Sequence, residues 1–376
     1  MKSFNTTGPC IPAEHYMLPA LQRVKEALKL VADRKYFILH APRQSGKTTS
    51  LLALRDELNR KGEAYAVYCS LEEAGEIQDP VQGVLAVARI LKRELRVALT
   101  AADVYGIPLE ESPETAIRSL LSEVCAKLDR PLVLLLDEID CLVDVPLLSL
   151  LRQLRNGYIQ RATAPFPASV ALVGMRNLRD YRIRLRPEQH SLGTGSPFNI
   201  VAKYLTLDTF TQEEVAALYR QHTEATGQIF EEAAVERAFY WTNGQPWLVN
   251  AIARECVEEI CQNDYTRPVT AAMVDEAVHT IVRRRDVLFP SIYRLLAEAR
   301  VMRILAPLIT GSDLPAGDLQ AVDDLSYVLD LGLLRRDERT GIIRFANRLY
   351  EEVIIRRLTP PFYEAAVRLF PGKPMT

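Results

Sequence analysis

The chain has 376 residues, 46 Lys and Arg against 48 Asp and Glu, and 48% hydrophobic residues, the proportions of a globular protein with two or three domains. Its net charge of −2 supplies no global basic field to draw it onto nucleic acid, and no apolar run approaches the ~20 residues of a membrane-spanning helix. The N-terminus lacks the apolar core of a secretory signal. Cys10, Cys69, Cys125, Cys141, Cys256 and Cys261 lack Cys-x-x-Cys spacing and the five histidines lack ligand spacing, which points to buried thiols in a cytoplasmic protein without a membrane partner.

The first strong element is the apolar run Tyr36–His40, which reads as a strand. It leads into Ala41-Pro42-Arg43-Gln44-Ser45-Gly46-Lys47-Thr48-Thr49 and then a helical pattern through Leu58. Strand, loop and helix in that order are what a phosphate-binding P-loop requires. The N–H groups of residues 42–49 and the positive helix end can converge on phosphate oxygens. Gly46 permits close approach, Lys47 reaches the β- and γ-phosphates, and the Thr48 hydroxyl can ligate Mg²⁺. Ala41 stands where the first glycine is usual, so the turn there must accept a Cβ.

A second strand is expected at Ala64–Ser70, and a loop at Ala101–Ser112. Leu132–Leu136 is a continuous apolar run ending in Asp137 and Glu138, which reads as a strand buried on both faces with acids at its C-terminal end. In open α/β sheets that end borders the ligand crevice. Asp137 would hold Mg²⁺, directly or through water, and Glu138 would polarise the attacking water. Alone, the acidic pair could equally be a solvated strand end; beside a P-loop it favours ATP hydrolysis over storage.

Strands at Ser169–Gly174 and Val201–Leu207 complete the pattern of a parallel α/β sheet. Arg176, just after the fourth strand, could touch the γ-phosphate or be a surface arginine. Arg179, Arg182, Arg184 and Arg186 crowd the same segment, and Arg283-Arg284-Arg285 form another knot. Solvated faces, a finger toward a neighbouring subunit and nucleic-acid contacts all remain open for them. Residues 187–197 read as mobile and exposed.

Beyond Leu207 the pattern is helical. Thr211-Gln-Glu-Glu214 is a capping box with Phe210 and Val215 set for a hydrophobic staple, and Gly227 ends the helix from Glu213. Helices follow at about 231–241, 246–262 and 270–285. The last ninety residues suggest a winged helix: helices near 291–310 and 319–331, a hairpin of Leu333–Arg336 and Ile342–Phe345 turning at Arg339–Gly341, and a final helix Asn347–Leu358. Asp318, Asp323, Asp324 and Asp330 lie on its candidate reading helix, which carries no Lys or Arg. Phosphates would repel that helix, so protein contact or internal regulation is preferred over DNA. Wing contact through Arg335, Arg336, Arg339 and Arg344 remains possible.

The P-loop 41–49, the Walker B run Leu132–Glu138, the strand end Gly174-Met175-Arg176 and Gly244-Gln245-Pro246 together resemble the bacterial and archaeal AAA-like ATPases of the STAND type, relatives of archaeal ATPases and origin-recognition proteins. The resemblance covers most of the chain. It implies an ASCE/AAA+-like P-loop NTPase sheet with an added strand between the P-loop and Walker B strands, then a helical lid and a C-terminal winged-helix domain. Residues 1–205, 206–285 and 286–376 would be the three parts. It further implies that Arg176 is a sensor-1 arginine, that Pro246 lies near the adenine, and that the segment from Phe4 through Tyr16, Pro19 and Arg23 lines the adenine pocket. The expected protein binds ATP and Mg²⁺, hydrolyses ATP slowly, and acts as a conformational switch or oligomerisation module. The alternative is an ATP-regulated DNA-binding protein of origin-recognition or transposition-regulator type.

Overall fold

A computed structural model describes the chain apart from residues 101–102, 176–198, 285–288, 312–318, 338–339 and 359–376, and apart from the side chains of 289–291 and 319. Arg176, Arg179, Arg182, Arg184, Arg186, the 187–197 segment, Arg285, Asp318 and Arg339 therefore lie outside the described residues. The chain divides into two compact units. One comprises Pro19–Pro42 and Gly46–Asp208; the other comprises Met1–Leu18, Arg43–Ser45 and Thr209–Thr376.

The first unit is built on five parallel strands, β1 (Tyr36–His40), β2 (Tyr65–Ser70), β3 (Leu132–Asp137), β4 (Ser169–Gly174) and β5 (Val201–Thr206), in the order β2-β3-β4-β1-β5. Each agrees with the sequence expectation to within one residue. The strand between the P-loop strand β1 and the Walker B strand β3 is β4. Alternate residues of each strand feed two cores. Ile38, Leu132, Leu134, Leu136 and Leu172 join a cluster with α4 (Pro80–Ala98), α5 (Ala116–Lys127) and α6 (Val145–Gln160). Phe37, Leu39, Val133, Leu135 and Val173 join a cluster with α2 (Lys25–Ala32) and α3 (Lys47–Lys61); α1 (Ala20–Arg23) packs on α3. A strand apolar at every position is the consequence of cover on both faces, and β3 is buried along its whole length.

α5 has no side-chain cap of its own, and a buried glutamine from α6 supplies one. Gln153 Oε1 accepts the N–H groups of Ile117 (3.0 Å) and Arg118 (3.1 Å), while its Nε2 donates to the Pro113 carbonyl (2.9 Å).

The second unit is helical. The Thr211 capping box forms both bonds, Thr211 N–H to Glu214 Oε2 (2.9 Å) and Glu214 N–H to Thr211 Oγ1 (3.2 Å). Phe210 and Val215 are buried in one cluster, and Gly227 ends the helix in the left-handed region, φ 82°. Further helices run Glu232–Thr242, Pro246–Arg254 and Ala271–Arg284. The stretch expected to continue to 262 as one helix changes to a π-helical turn at Glu255–Ile260. The helix expected at 291–310 is two, Phe289–Leu296 and Ala299–Thr310, parted by a turn closed by bonds from Ala297 and Glu298 N–H to Arg294 and Leu295 carbonyls.

The helix Leu319–Asp330 is followed by β6 (Leu334–Arg336) and β7 (Ile343–Phe345), antiparallel, with Gly341 at φ 71°, and by the helix Arg348–Leu358. One expectation needs correction here. Asp324 is fully buried, held by Arg303 and by Arg300 at 3.6 Å, so it is an internal counter-ion rather than part of a solvated acidic face.

Residues 1–18, expected with the P-loop core, cluster with the helical unit. The reason is aromatic burial. Phe4 stacks 5.0 Å from Tyr16, 5.7 Å from Tyr219 and 5.5 Å from His222, and Trp247 Nε1 donates to the Thr6 carbonyl at 2.8 Å.

Candidate nucleotide-binding site

The P-loop leaves the C-terminal end of β1 and re-enters regular structure as α3, whose N-cap is Gly46 in the left-handed region, φ 86°. No side chain caps this helix end. First-turn N–H groups of a helix have no intrahelical acceptor, which makes such an end suited to an anion. Gly46 is required on two grounds: the positive φ, and Arg23 Nη1, which would stand 2.9 Å from an added Cβ. Ala41 poses no such demand. Its φ is not positive, its side chain is buried in the core between sheet and helices, and its N–H donates to the Gly174 carbonyl at 3.2 Å. Alanine therefore fits where glycine is usual.

Lys47 is buried, and its ammonium donates to the Ala41 carbonyl (2.7 Å) and the Pro42 carbonyl (2.9 Å). These bonds tie the first residue of α3 back to the residues that follow β1.

The decisive contact joins two distant segments. Thr48 Oγ1 donates to Asp137 Oδ2 at 2.8 Å, which ties the first turn of α3 to the end of β3. Asp137 is fully buried. Its Oδ2 also accepts the Tyr68 hydroxyl (3.1 Å), and its Oδ1 accepts the Glu138 N–H (2.9 Å). Burial and, second, the Asp137 charge raise the Tyr68 phenol far above its ordinary pKa, which keeps it a donor. A hydroxyl and a carboxylate are hard oxygen ligands of the kind Mg²⁺ takes, with water and phosphate oxygens filling its other positions. Among the described residues no group of three or more His, Cys, Asp or Glu side chains could hold a metal unaided.

Glu138 sits in the left-handed region at φ 56°, a conformation that costs a non-glycine residue roughly 1–2 kcal/mol. Its carbonyl accepts both the Cys141 N–H (3.2 Å) and the Cys141 thiol (2.8 Å), which holds the bend against that strain. The same tight turn turns Asp140 onto the end of β4. Asp140 Oδ2 accepts the Met175 N–H, and a Cβ on Gly174 would lie 2.6 Å from that oxygen. Walker B loop and β4 end are thereby joined one residue before Arg176, which itself lies outside the described residues.

Pro246 belongs to the helical unit. It is buried at the first position of the helix Pro246–Arg254, where Gln245 caps through Oε1 to the Leu248 N–H (2.6 Å). Gln245 Nε2 donates to the Gln44 carbonyl at 3.4 Å, both residues lying in that unit. Arg43 is exposed, Ser45 is buried, and Pro42, Gln44 and Thr49 are half-buried. Sequence reading missed Tyr68 and the anchoring role of Asp140. Strand pairing puts Ser70, not Tyr68, opposite Asp137; only the length of the tyrosine side chain brings its hydroxyl there.

Residues 31–181 match the family described as "AAA domain". Among curated proteins, none matches the chain. Among solved structures, the Walker-type ATPase PABY2304 of Pyrococcus abyssi aligns over 93% of this chain and 99% of its own, with 13% identity and a TM-score of 0.58. Cdc6p of Pyrobaculum aerophilum aligns over 91% and 96%, with 15% identity and a TM-score of 0.49. The Thermotoga maritima RuvB Holliday junction branch migration motor aligns over 90% and 94%, with 18% identity and a TM-score of 0.43. Residues 31–181, less than half of the chain, thus resemble that family, and the chain shares its fold with the Pyrococcus ATPase.

Proposed function

We propose that the protein is a Mg²⁺-dependent ATP-binding protein that hydrolyses ATP slowly and works as a nucleotide-controlled conformational switch or oligomerisation module. The observation that carries this reading is the 2.8 Å bond from Thr48 to Asp137, because it puts the P-loop helix and the Walker B strand end at one place. Lys47 and the loop N–H groups would hold the phosphates, and Thr48 and Asp137 the metal. Bound there, Mg²⁺ would neutralise phosphate charge during transfer. Glu138 would accept a proton from the attacking water, and Arg176 would sense the γ-phosphate. Adenine contact by Pro246 and by the segment 4–23 belongs to the same proposal, as do the names lid for 206–285 and winged helix for 286–376. In that reading the lid responds to ATP against ADP and moves the winged helix, whose partner is a protein or a second copy of the chain. Among the described residues no helix is long and apolar enough to cross a membrane.

Lys47→Ala should weaken ATP and ADP binding at least tenfold in a fluorescent-nucleotide titration. Glu138→Gln should leave binding within about twofold and cut phosphate release by a factor on the order of 100. Normal turnover in Glu138→Gln would remove the water-activating role from that residue.

One observation favours the DNA-binding alternative. Arg335 and Arg344 are exposed and lie directly opposite each other across the β6–β7 pair. Like charges in that register cost up to about 1 kcal/mol, and a polyanion would relieve it. A binding isotherm on duplex DNA across a salt series decides the matter: a steep salt slope that shrinks in Arg335→Ala/Arg344→Ala supports DNA contact, and a flat one rejects it.

A further inference from the structure

Asp137 is the one buried acid at the candidate metal site, and its hydrogen bonds leave it little latitude. An ionised carboxylate offers about four acceptor positions. Three are taken in this structure: Thr48 Oγ1 and Tyr68 Oη both donate to Oδ2, at 2.8 and 3.1 Å, and the Glu138 N–H donates to Oδ1 at 2.9 Å. The three donors come from α3, β2 and the turn after β3, so they hold the carboxylate plane from separate directions.

From this geometry we propose that Tyr68 is a positioning residue for the metal: its hydroxyl, bonded to Oδ2 beside that of Thr48, fixes the orientation of the Asp137 carboxylate that would hold the cation. The proposal rests on the Mg²⁺–nucleotide reading of the site. The Thr48 hydroxyl can donate its hydrogen to Oδ2 and offer a lone pair to a cation at the same time, so a single donor with two tasks is all that would hold Oδ2 without Tyr68. Tyr68 supplies a second donor to Oδ2, which would restrain the carboxylate from rotating to offer both oxygens to a cation. Mg²⁺ favours that outcome, since it gives up its waters reluctantly and demands near-octahedral geometry. Groups that hold a metal ligand in place commonly carry tenfold or greater effects on metal affinity without touching the metal. Tyr68 is half-buried, and a phenol is a hydrogen-bond donor at neutral pH.

Tyr68→Phe in the full chain removes the hydroxyl and keeps the ring. The test is a Mg²⁺ titration of fluorescent ADP and ATP binding, repeated with Mn²⁺ read by the spin resonance of free Mn²⁺, with nucleotide affinity in EDTA as reference. The half-saturating concentration of both cations should rise about tenfold, while affinity in EDTA stays near wild type; the thermal midpoint of the nucleotide-free protein should fall somewhat, since a bond to a buried carboxylate is lost. An unchanged metal requirement overturns the proposal. So does an equal loss of affinity with and without metal, which would mark Tyr68 as a support of the loop instead. Failure of the wild-type chain to bind nucleotide at all would be a different result, sinking the ATPase reading before Tyr68 is reached. Thr48→Ala in the Tyr68→Phe background adds a check, because two donors to one oxygen should give non-additive losses.

Discussion

Replacing Gly174 with alanine puts the junction between the Walker B loop and β4 under direct strain. The new Cβ would lie 2.6 Å from Asp140 Oδ2 and 2.8 Å from both its Cγ and Oδ1, distances no real Cβ keeps. Asp140 is short and committed to the Met175 N–H, so relief means breaking that bond. β4 itself has little room to move, since Gly174 is paired with His40 in register and accepts the Ala41 N–H at 3.2 Å. Losing a hydrogen bond to a charged group costs about 1.5–3 kcal/mol, and residual overpacking about 1 kcal/mol more. Gly174→Ala should therefore cost about 2.5–4 kcal/mol in urea unfolding. The informative arm is the cycle with Asp140→Ala, which removes the carboxylate the Cβ meets. In that background Gly174→Ala should cost under about 1 kcal/mol, a coupling of the size expected for side chains in contact. If alanine at 174 is as damaging with Asp140 gone as with it present, the carboxylate is not what excludes the Cβ and the reasoning fails.

Two further outcomes follow from buried titratable groups. His222 is buried among Phe4, Tyr16, Phe230 and Tyr265, with Nε2 2.8 Å from Gln228 Oε1, and burial lowers its pKa. The unfolded chain then takes up this proton more readily, so stability present above about pH 6.5 is lost as pH falls through the depressed folded value. Thermal melts from pH 7.5 to 5 should show that fall, and His222→Asn should flatten it; an identical slope in the variant assigns the effect elsewhere. The Cys141 thiol is pushed up to about 12, by burial first and then by the Glu138 and Asp140 charges, and it donates to the Leu71 and Glu138 carbonyls at 2.8 Å. Alkylation of Cys141 by iodoacetamide at pH 8 should be at least tenfold slower in the folded protein than in urea, measured by mass spectrometry of the peptide. Equal rates would mean that the turn after Glu138 opens freely.

Much of the scaffold was readable from local pattern. Tyr36–His40, Leu132–Leu136 and Ser169–Gly174 are continuous apolar runs because both faces of a parallel strand are covered, and that signature survives in one dimension. The P-loop was legible for a similar reason: Gly46, Lys47 and Thr48 are adjacent in the chain, and their chemistry needs that adjacency. Caps behave alike, since Thr211 and Glu214 satisfy each other within one turn.

What only the tertiary structure decided is which distant groups meet. The order β2-β3-β4-β1-β5 places β4 beside β1, although 128 residues separate His40 from Ser169. The same folding brings Tyr68 and Thr48 to one carboxylate oxygen, lays Asp140 on the end of β4, and draws Asp324 inward to Arg300 and Arg303. A hydroxyl, a carboxylate or a guanidinium has no periodicity of its own to mark it as buried. Its partner is chosen by the cost of leaving it unpaired away from water, and that cost exists only once the chain has closed around it.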